Sequence, residues 1–151
     1  MFSTVRYFIK TSLIFLAAGL LTGIYMSYIK YIKAEGVHPE LSTAHTHIIL
    51  IGSVMMMIMG VALWFFPKAA KEDKKYNPSL ILFVYWLITI STAMRFISQV
   101  LIAFIYIDWL TYMITIFSVL QVIAMILFFY SMWGRIRSVG SYLREAKGER
   151  F

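Results

Sequence analysis

The chain has 151 residues, of which 61% are hydrophobic and only 14% are charged. Soluble domains carry roughly 25% charged residues, so this composition excludes an ordinary soluble globule and predicts one membrane-embedded domain. The net charge of +7 is assigned to loops beside the bilayer and not to nucleic-acid binding, because no polar segment interleaves basic and aromatic residues.

Four apolar stretches are long enough to span a membrane, since about 20 helical residues cross the ~30 Å hydrocarbon core. They cover residues 7–29, 45–66, 80–107 and 110–133. The second helix has two possible starts: Ser42 or Thr43 suits an N-cap, whereas Pro39 and Glu40 suit a first turn that begins near residue 39. The short connections predict an all-α integral membrane protein, folded as a single antiparallel four-helix bundle in the lipid bilayer.

The basic residues predict how this bundle is oriented, because lysines and arginines near span ends are retained in the cytoplasm. Of the 14 lysines and arginines, 11 lie in the amino-terminal segment, the second connection or the tail, and only Lys30 and Lys33 lie in the first connection. Both termini are therefore predicted to be cytoplasmic, in the inner membrane of a prokaryote. The remaining cation, Arg95, lies inside the third span.

The second span carries two histidines, His45 and His47. Ionisable residues are costly in a membrane and mark functional sites, and imidazole is a common ligand of haem iron and of other metals. Residues at i and i+2 of a regular helix point about 200° apart, so only one of the two can be the main ligand of a given iron. On the alternative interpretation, both rings only hydrogen-bond to backbone carbonyls or lie among the lipid headgroups.

The two helical faces that pass through these histidines differ in character. The His45 face continues through Gly52, where a flat macrocycle could approach the backbone, and then through Met56. The His47 face continues as branched aliphatic residues, which suggests a lipid-facing or helix-packing surface. The methionines of residues 55–59 point all around the helix and are assigned mainly to packing, with Met56 kept as a possible cofactor contact.

Arg95 is predicted to lie at nearly the same depth as the histidines. It is the sixteenth residue of the third span, which places it about 24 Å along the helix at about 1.5 Å per residue. A cation there could pair with a haem propionate, bind backbone carbonyls or reach the headgroups. Gln99, one turn further on the same face, could extend a polar site. Gly19 and Gly23 have the GxxxG spacing of close helix packing or dimerisation.

The second span, AHTHIILIGSVMMMIMGVALWFFPK, resembles helix two of the haem-copper oxidase subunit I superfamily. The similarity is greatest to the nitric oxide reductase and high-affinity oxidase branches and to their short four-span relatives. The matching residues are His45, His47, Gly52, Phe66 and Pro67, and the tail SMWGRIR is similar to the Trp-x-Arg exit of the fourth span in that group.

The resemblance implies a b-type haem with His45 as an axial ligand, on the outer side of the membrane. The chain has only three histidines, so one copy cannot assemble a complete oxygen-reducing centre. The expected role is therefore electron transfer or the sensing of haem or gas, without turnover by the isolated chain.

The second axial position could be filled by His45 or His47 of another chain, by a methionine, or by nothing. A homodimer is therefore expected, because a single copy has no obvious second ligand. In an electron-transfer role, the protein could also have a redox partner in a respiratory chain. The alternatives are a haem-free accessory or assembly subunit of a respiratory membrane complex, and a protein that handles copper through its histidines and methionines.

Overall fold

The computed structural model describes residues 2–66, 77–105 and 107–136, together with Gly148. The described residues form helices and contain no strand. Four helices are long and apolar enough to cross a membrane, which confirms the predicted all-α, four-helix membrane protein. They are α1 (Phe2–Tyr31), α2 (Pro39–Phe65), α3 (Pro78–Ile102) and α4 (Asp108–Met132), the last followed by a 3-10 turn (Trp133–Arg135).

The helix starts follow local capping chemistry. Helix α2 begins at Pro39, the earlier of its two possible starts, and the imidazole of His38 accepts a hydrogen bond from the Glu40 backbone N–H. Helix α3 begins in the same way at Pro78, where the side chain of Asn77 accepts from the Ser79 N–H. Proline has no backbone N–H, but the N–H groups of a helix's first turn have no partner within the helix, so proline costs no hydrogen bond there. Both helix starts are therefore stabilised locally.

Helix α2 is not regular, because residues Ile48–Met55 form a π-helical segment directly after His47. Each π turn takes in one more residue than an α turn. The face of α2 that carries His47 therefore does not continue, at 3.6 residues per turn, through the aliphatic residues that follow. Of these, Val54, Ile58 and Val61 are exposed on the surface of the bundle, whereas the His47 ring contacts α3.

The core lies where α1 and α3 pack against α2. Phe8 is fully buried there, and its ring meets Tyr85 of α3 and Phe128 of α4 edge-on, with ring centroids 5.3 and 6.2 Å apart. Helix α4 packs mainly on α3. Much of the apolar surface of α1 and α4 remains exposed, as expected for helices that face lipid.

At the end of the bundle that carries the amino terminus, Arg135 joins the exits of α2 and α4. It is 1% exposed, and its guanidinium donates to the carbonyls of Leu63 and Phe66, each at 3.0 Å, and to the sulfur of Met132. The lysine-rich stretch at 68–75 and the tail beyond residue 136, apart from Gly148, lie outside the described residues. The predicted orientation rests largely on these segments and stays a prediction.

Candidate ligand cavity and polar network

His45 lies on the face of α2 that packs against α1. Its Nδ1 lies 2.9 Å from the backbone carbonyl oxygen of Gly19. Because a carbonyl oxygen only accepts hydrogen bonds, Nδ1 carries a proton, and in the neutral ring Nε2 then keeps its lone pair. Among the described residues, Nε2 of His45 has no hydrogen-bond partner. The arrangement therefore fixes the ring orientation and leaves the other nitrogen available as a ligand.

Gly23 makes room for this ring, one turn along α1 from Gly19. A Cβ atom on Gly23 would lie 2.9 Å from Cε1 of His45, which is closer than such contacts allow. Any side chain at position 23 would have to displace the imidazole. The GxxxG pair of α1 is thus used inside this chain, since Gly19 packs against Ile49 and Gly23 against His45.

A cavity of about 580 Å³, open to the surface of the bundle, lies beside His45. This volume falls within the roughly 300–1,000 Å³ typical of small-molecule and cofactor sites. Helix α1 supplies most of the wall, and the connection to α2 adds Val37. The wall is apolar toward the middle of the bundle and becomes polar toward Tyr31, along the series Leu20, Gly23, Ile24, Met26, Ser27, Lys30 and Tyr31.

His47 takes part in a separate polar network that joins three helices. Its Nδ1 donates to the carbonyl of Thr43 at 2.9 Å, and its Nε2 accepts from the guanidinium of Arg95 at 3.0 Å. Arg95 also donates to Oε1 of Gln121 at 2.8 Å, and Nε2 of Gln121 donates to the hydroxyl of Thr92 at 2.9 Å. Both nitrogens of His47 are therefore engaged inside the bundle.

A second polar contact lies near the start of α2. Gln99, which is 1% exposed, donates to Oε2 of Glu40 at 3.2 Å. Within the described part of the chain, Nε of Arg95 and Oε1 of Gln99 are buried without a partner. The Arg95 Nε–H is a donor and the Gln99 Oε1 is an acceptor.

The structure separates the residues that the sequence grouped together. His45 faces α1 and the cavity, whereas His47 faces α3, as the i, i+2 spacing predicts. Arg95 lies at the depth of the histidines, as expected, but it is bonded to His47 and not to the cavity wall.

Gly52 and Met56 are not among the residues that line the cavity beside His45. The space above Gly52 is filled by the ring of Phe15, since a Cβ atom there would lie 2.9 Å from it. Met56 is fully buried in the core cluster. Gly52 packs α2 against α1, and the open space beside His45 lies next to Gly23 instead.

The described ranges contain no cluster of carboxylates and histidines that could bind a metal ion. No group of three or more His, Cys, Asp or Glu residues comes together there. A site based on one imidazole, with further ligands from methionine or from another chain, is a different arrangement and does not require such a group.

Sequence reasoning missed four contributors to these sites: Gly23 as the neighbour of His45, Lys30 at the cavity, Glu40 beside Gln99, and Arg135 at the opposite end. Gly23 and Arg135 had local signals, in the GxxxG and Trp-x-Arg patterns. Neither pattern predicts which residues Gly23 and Arg135 contact, because these contacts depend on which helices pack together.

Comparisons of the chain with known protein families, with curated proteins and with solved structures found no match.

Proposed function

We propose that this protein is a b-type haem-binding membrane protein in which His45 is an axial ligand of the iron. One observation carries the proposal: an imidazole whose Nδ1 is held by the Gly19 carbonyl, and whose Nε2 is unbonded among the described residues, lines a cofactor-sized cavity. Haem-ligating histidines commonly have this second hydrogen bond, which sets the tautomer and the ring orientation.

The residues around the cavity fit such a group. Leu20, Ile24 and Val37 offer apolar contact to a macrocycle, and Gly23 lets the imidazole lie against the backbone of α1. Met26 also lines the cavity and carries a thioether, one of the second ligands that the sequence left open. Bound haem would supply one-electron chemistry or, with an open position, the binding of diatomic gases.

His47 is the weaker candidate for iron ligation. Its Nε2 accepts a hydrogen bond from Arg95, and its Nδ1 donates to Thr43. Ligation through Nε2 would require the loss of the hydrogen bond to Arg95. The free nitrogen of His45 needs no such rearrangement.

The wider role follows from the sequence resemblance to haem-copper oxidase subunit I. We infer electron transfer or haem or gas sensing in a prokaryotic inner membrane, with His45 toward the outer side and the termini in the cytoplasm. A homodimer that supplies the second axial ligand, and a redox partner in a respiratory chain, belong to the same proposal.

The proposal is tested with matched glutamine variants of the two histidines, purified in detergent after expression with ample haem. We expect His45→Gln to lose nearly all haem in a pyridine haemochrome assay. His47→Gln should keep it, because a glutamine oxygen can still accept from Arg95. Added imidazole should restore a haem spectrum to His45→Ala, which shows that the variant still folds.

Colourless wild-type protein, or equal haem content in the wild type and His45→Gln, would overturn the proposal. Copper without iron in a metal analysis would favour a role in copper handling. Absence of both metals would favour a haem-free accessory subunit. Once haem is established, sharp reduced α-bands indicate a six-coordinate iron, whereas a large spectral shift on adding CO indicates an open position.

Gly23 provides a second test of the same cavity. We expect Gly23→Ala to weaken haem binding about tenfold, because the new methyl group overlaps the His45 ring and such overpacking costs about 1–3 kcal/mol. Gly36→Ala is the control, since a Cβ atom there meets nothing within 4 Å. Haem titration of the two apoproteins compares them, and equal affinities would show that the His45 ring is not held as described.

A further inference from the structure

Lys30 places a positive charge at the polar end of the His45 cavity. Its side chain lines that cavity together with Ser27 and Tyr31, and its Nζ lies 5.3 Å from the centre of the Tyr31 ring. In the part of the chain that the structure describes, no carboxylate forms an ion pair with Lys30. The charge is therefore available to a bound ligand.

Helix geometry sets how far this charge lies from His45. Gly23 contacts the His45 ring, and Lys30 follows seven residues later on the same helix. Seven residues make about two turns, so Lys30 lies roughly 10 Å farther along α1 and on the same face. A ligand that binds at His45 and extends along the cavity would bring its far end to Lys30.

Arg95 does not compete for that position. Its two terminal nitrogens are bonded to Gln121 and His47, and it is not among the residues that line the cavity. Among the residues that line the cavity, Lys30 is the one lysine or arginine. The cavity wall is apolar near Leu20 and cationic at Lys30. This polarity suits an amphiphilic ligand whose acidic groups lie at one edge.

We propose that Lys30 binds the propionate carboxylates of an iron porphyrin held at His45 and thereby selects an acidic porphyrin. This inference rests on the proposed haem site and adds the residue that recognises the charged edge. Lys30 has no bond to the iron in this arrangement, so it affects affinity and selectivity and leaves axial ligation unchanged.

The test compares iron protoporphyrin IX with its dimethyl ester, in which both carboxylates are neutral. Each compound is titrated into detergent-solubilised apoprotein of the wild type, Lys30→Met, Lys33→Met and Arg95→Met, with the Soret band as the readout. The acid and the ester partition differently into detergent micelles. This difference cancels, because the ratio of the acid affinity to the ester affinity is compared from one protein to the next.

We expect Lys30→Met to weaken binding of the diacid about three- to fivefold, the effect of one partly exposed ion pair, and to leave binding of the ester unchanged. Lys33 is a cation just beyond the end of α1 that does not line the cavity, so Lys33→Met should change neither affinity. The α-band positions should be the same in all four proteins.

Four results would overturn the inference. Equal effects of Lys30→Met on acid and ester would mean a general disturbance of the cavity. Loss of acid selectivity in Arg95→Met, and not in Lys30→Met, would assign the carboxylates to Arg95. Unchanged affinity for the diacid in every variant would contradict the ion pair with Lys30 but would not contradict the haem site. Failure of both compounds to bind the wild type would contradict the haem site as well.

Discussion

Replacing Arg135 with methionine is expected to lower the free energy of unfolding by about 2–4 kcal/mol, the largest stability change that we predict for a single substitution. The Arg135 guanidinium donates to the carbonyls of Leu63 and Phe66 at the end of α2. These carbonyls have no partner within the helix, and the negative end of the helix dipole lies beside them. Methionine fills similar space but donates no hydrogen bond.

The measurement is reversible unfolding in mixed detergent micelles, followed by circular dichroism. Arg6→Met is the matched control, because Arg6 is an exposed cation near the amino terminus of α1 and substitutions at such positions change stability by less than about 0.5 kcal/mol. Arg135→Lys should recover part of the loss, since an ammonium group is charged but cannot match the forked donor geometry. Equal stability of Arg135→Met and Arg6→Met would show that this buried contact does not hold α2 and α4 together.

The second large effect is expected at the contact between Arg95 and His47. Arg95 joins α2 to α4 through α3, because it donates to both His47 and Gln121. Arg95→Met leaves an imidazole nitrogen and an amide oxygen without their donor, inside the membrane-spanning part of the bundle. We expect a loss of about 1–3 kcal/mol in the free energy of unfolding.

A double-mutant cycle with Arg95→Met and His47→Leu separates this contact from general disturbance. Hydrogen bonds between membrane helices have coupling energies averaging about 0.6 kcal/mol and reaching about 1.7 kcal/mol. We expect a value near the upper end, since one partner is charged. Strictly additive effects of the two substitutions would contradict a direct contact. Haem content should change little in either single variant if His45, and not His47, is the ligand.

The sequence determined the membrane class, the number of spans and the depth of Arg95, because these follow from local hydropathy and from the fixed rise of a helix. It also determined that His45 and His47 point to different neighbours, since two residues on a helix have a defined angular separation.

Only the tertiary structure decided what those neighbours are. It placed His45 against Gly23, filled the space above Gly52 with Phe15, and bonded His47 to Arg95. A π-helical segment in α2 breaks the period on which the face assignments rely. Such pairings depend on which helix meets which and in what register. Four spans of similar apolar composition do not encode that choice locally, because it is made by side-chain packing and by the pairing of a few buried polar groups.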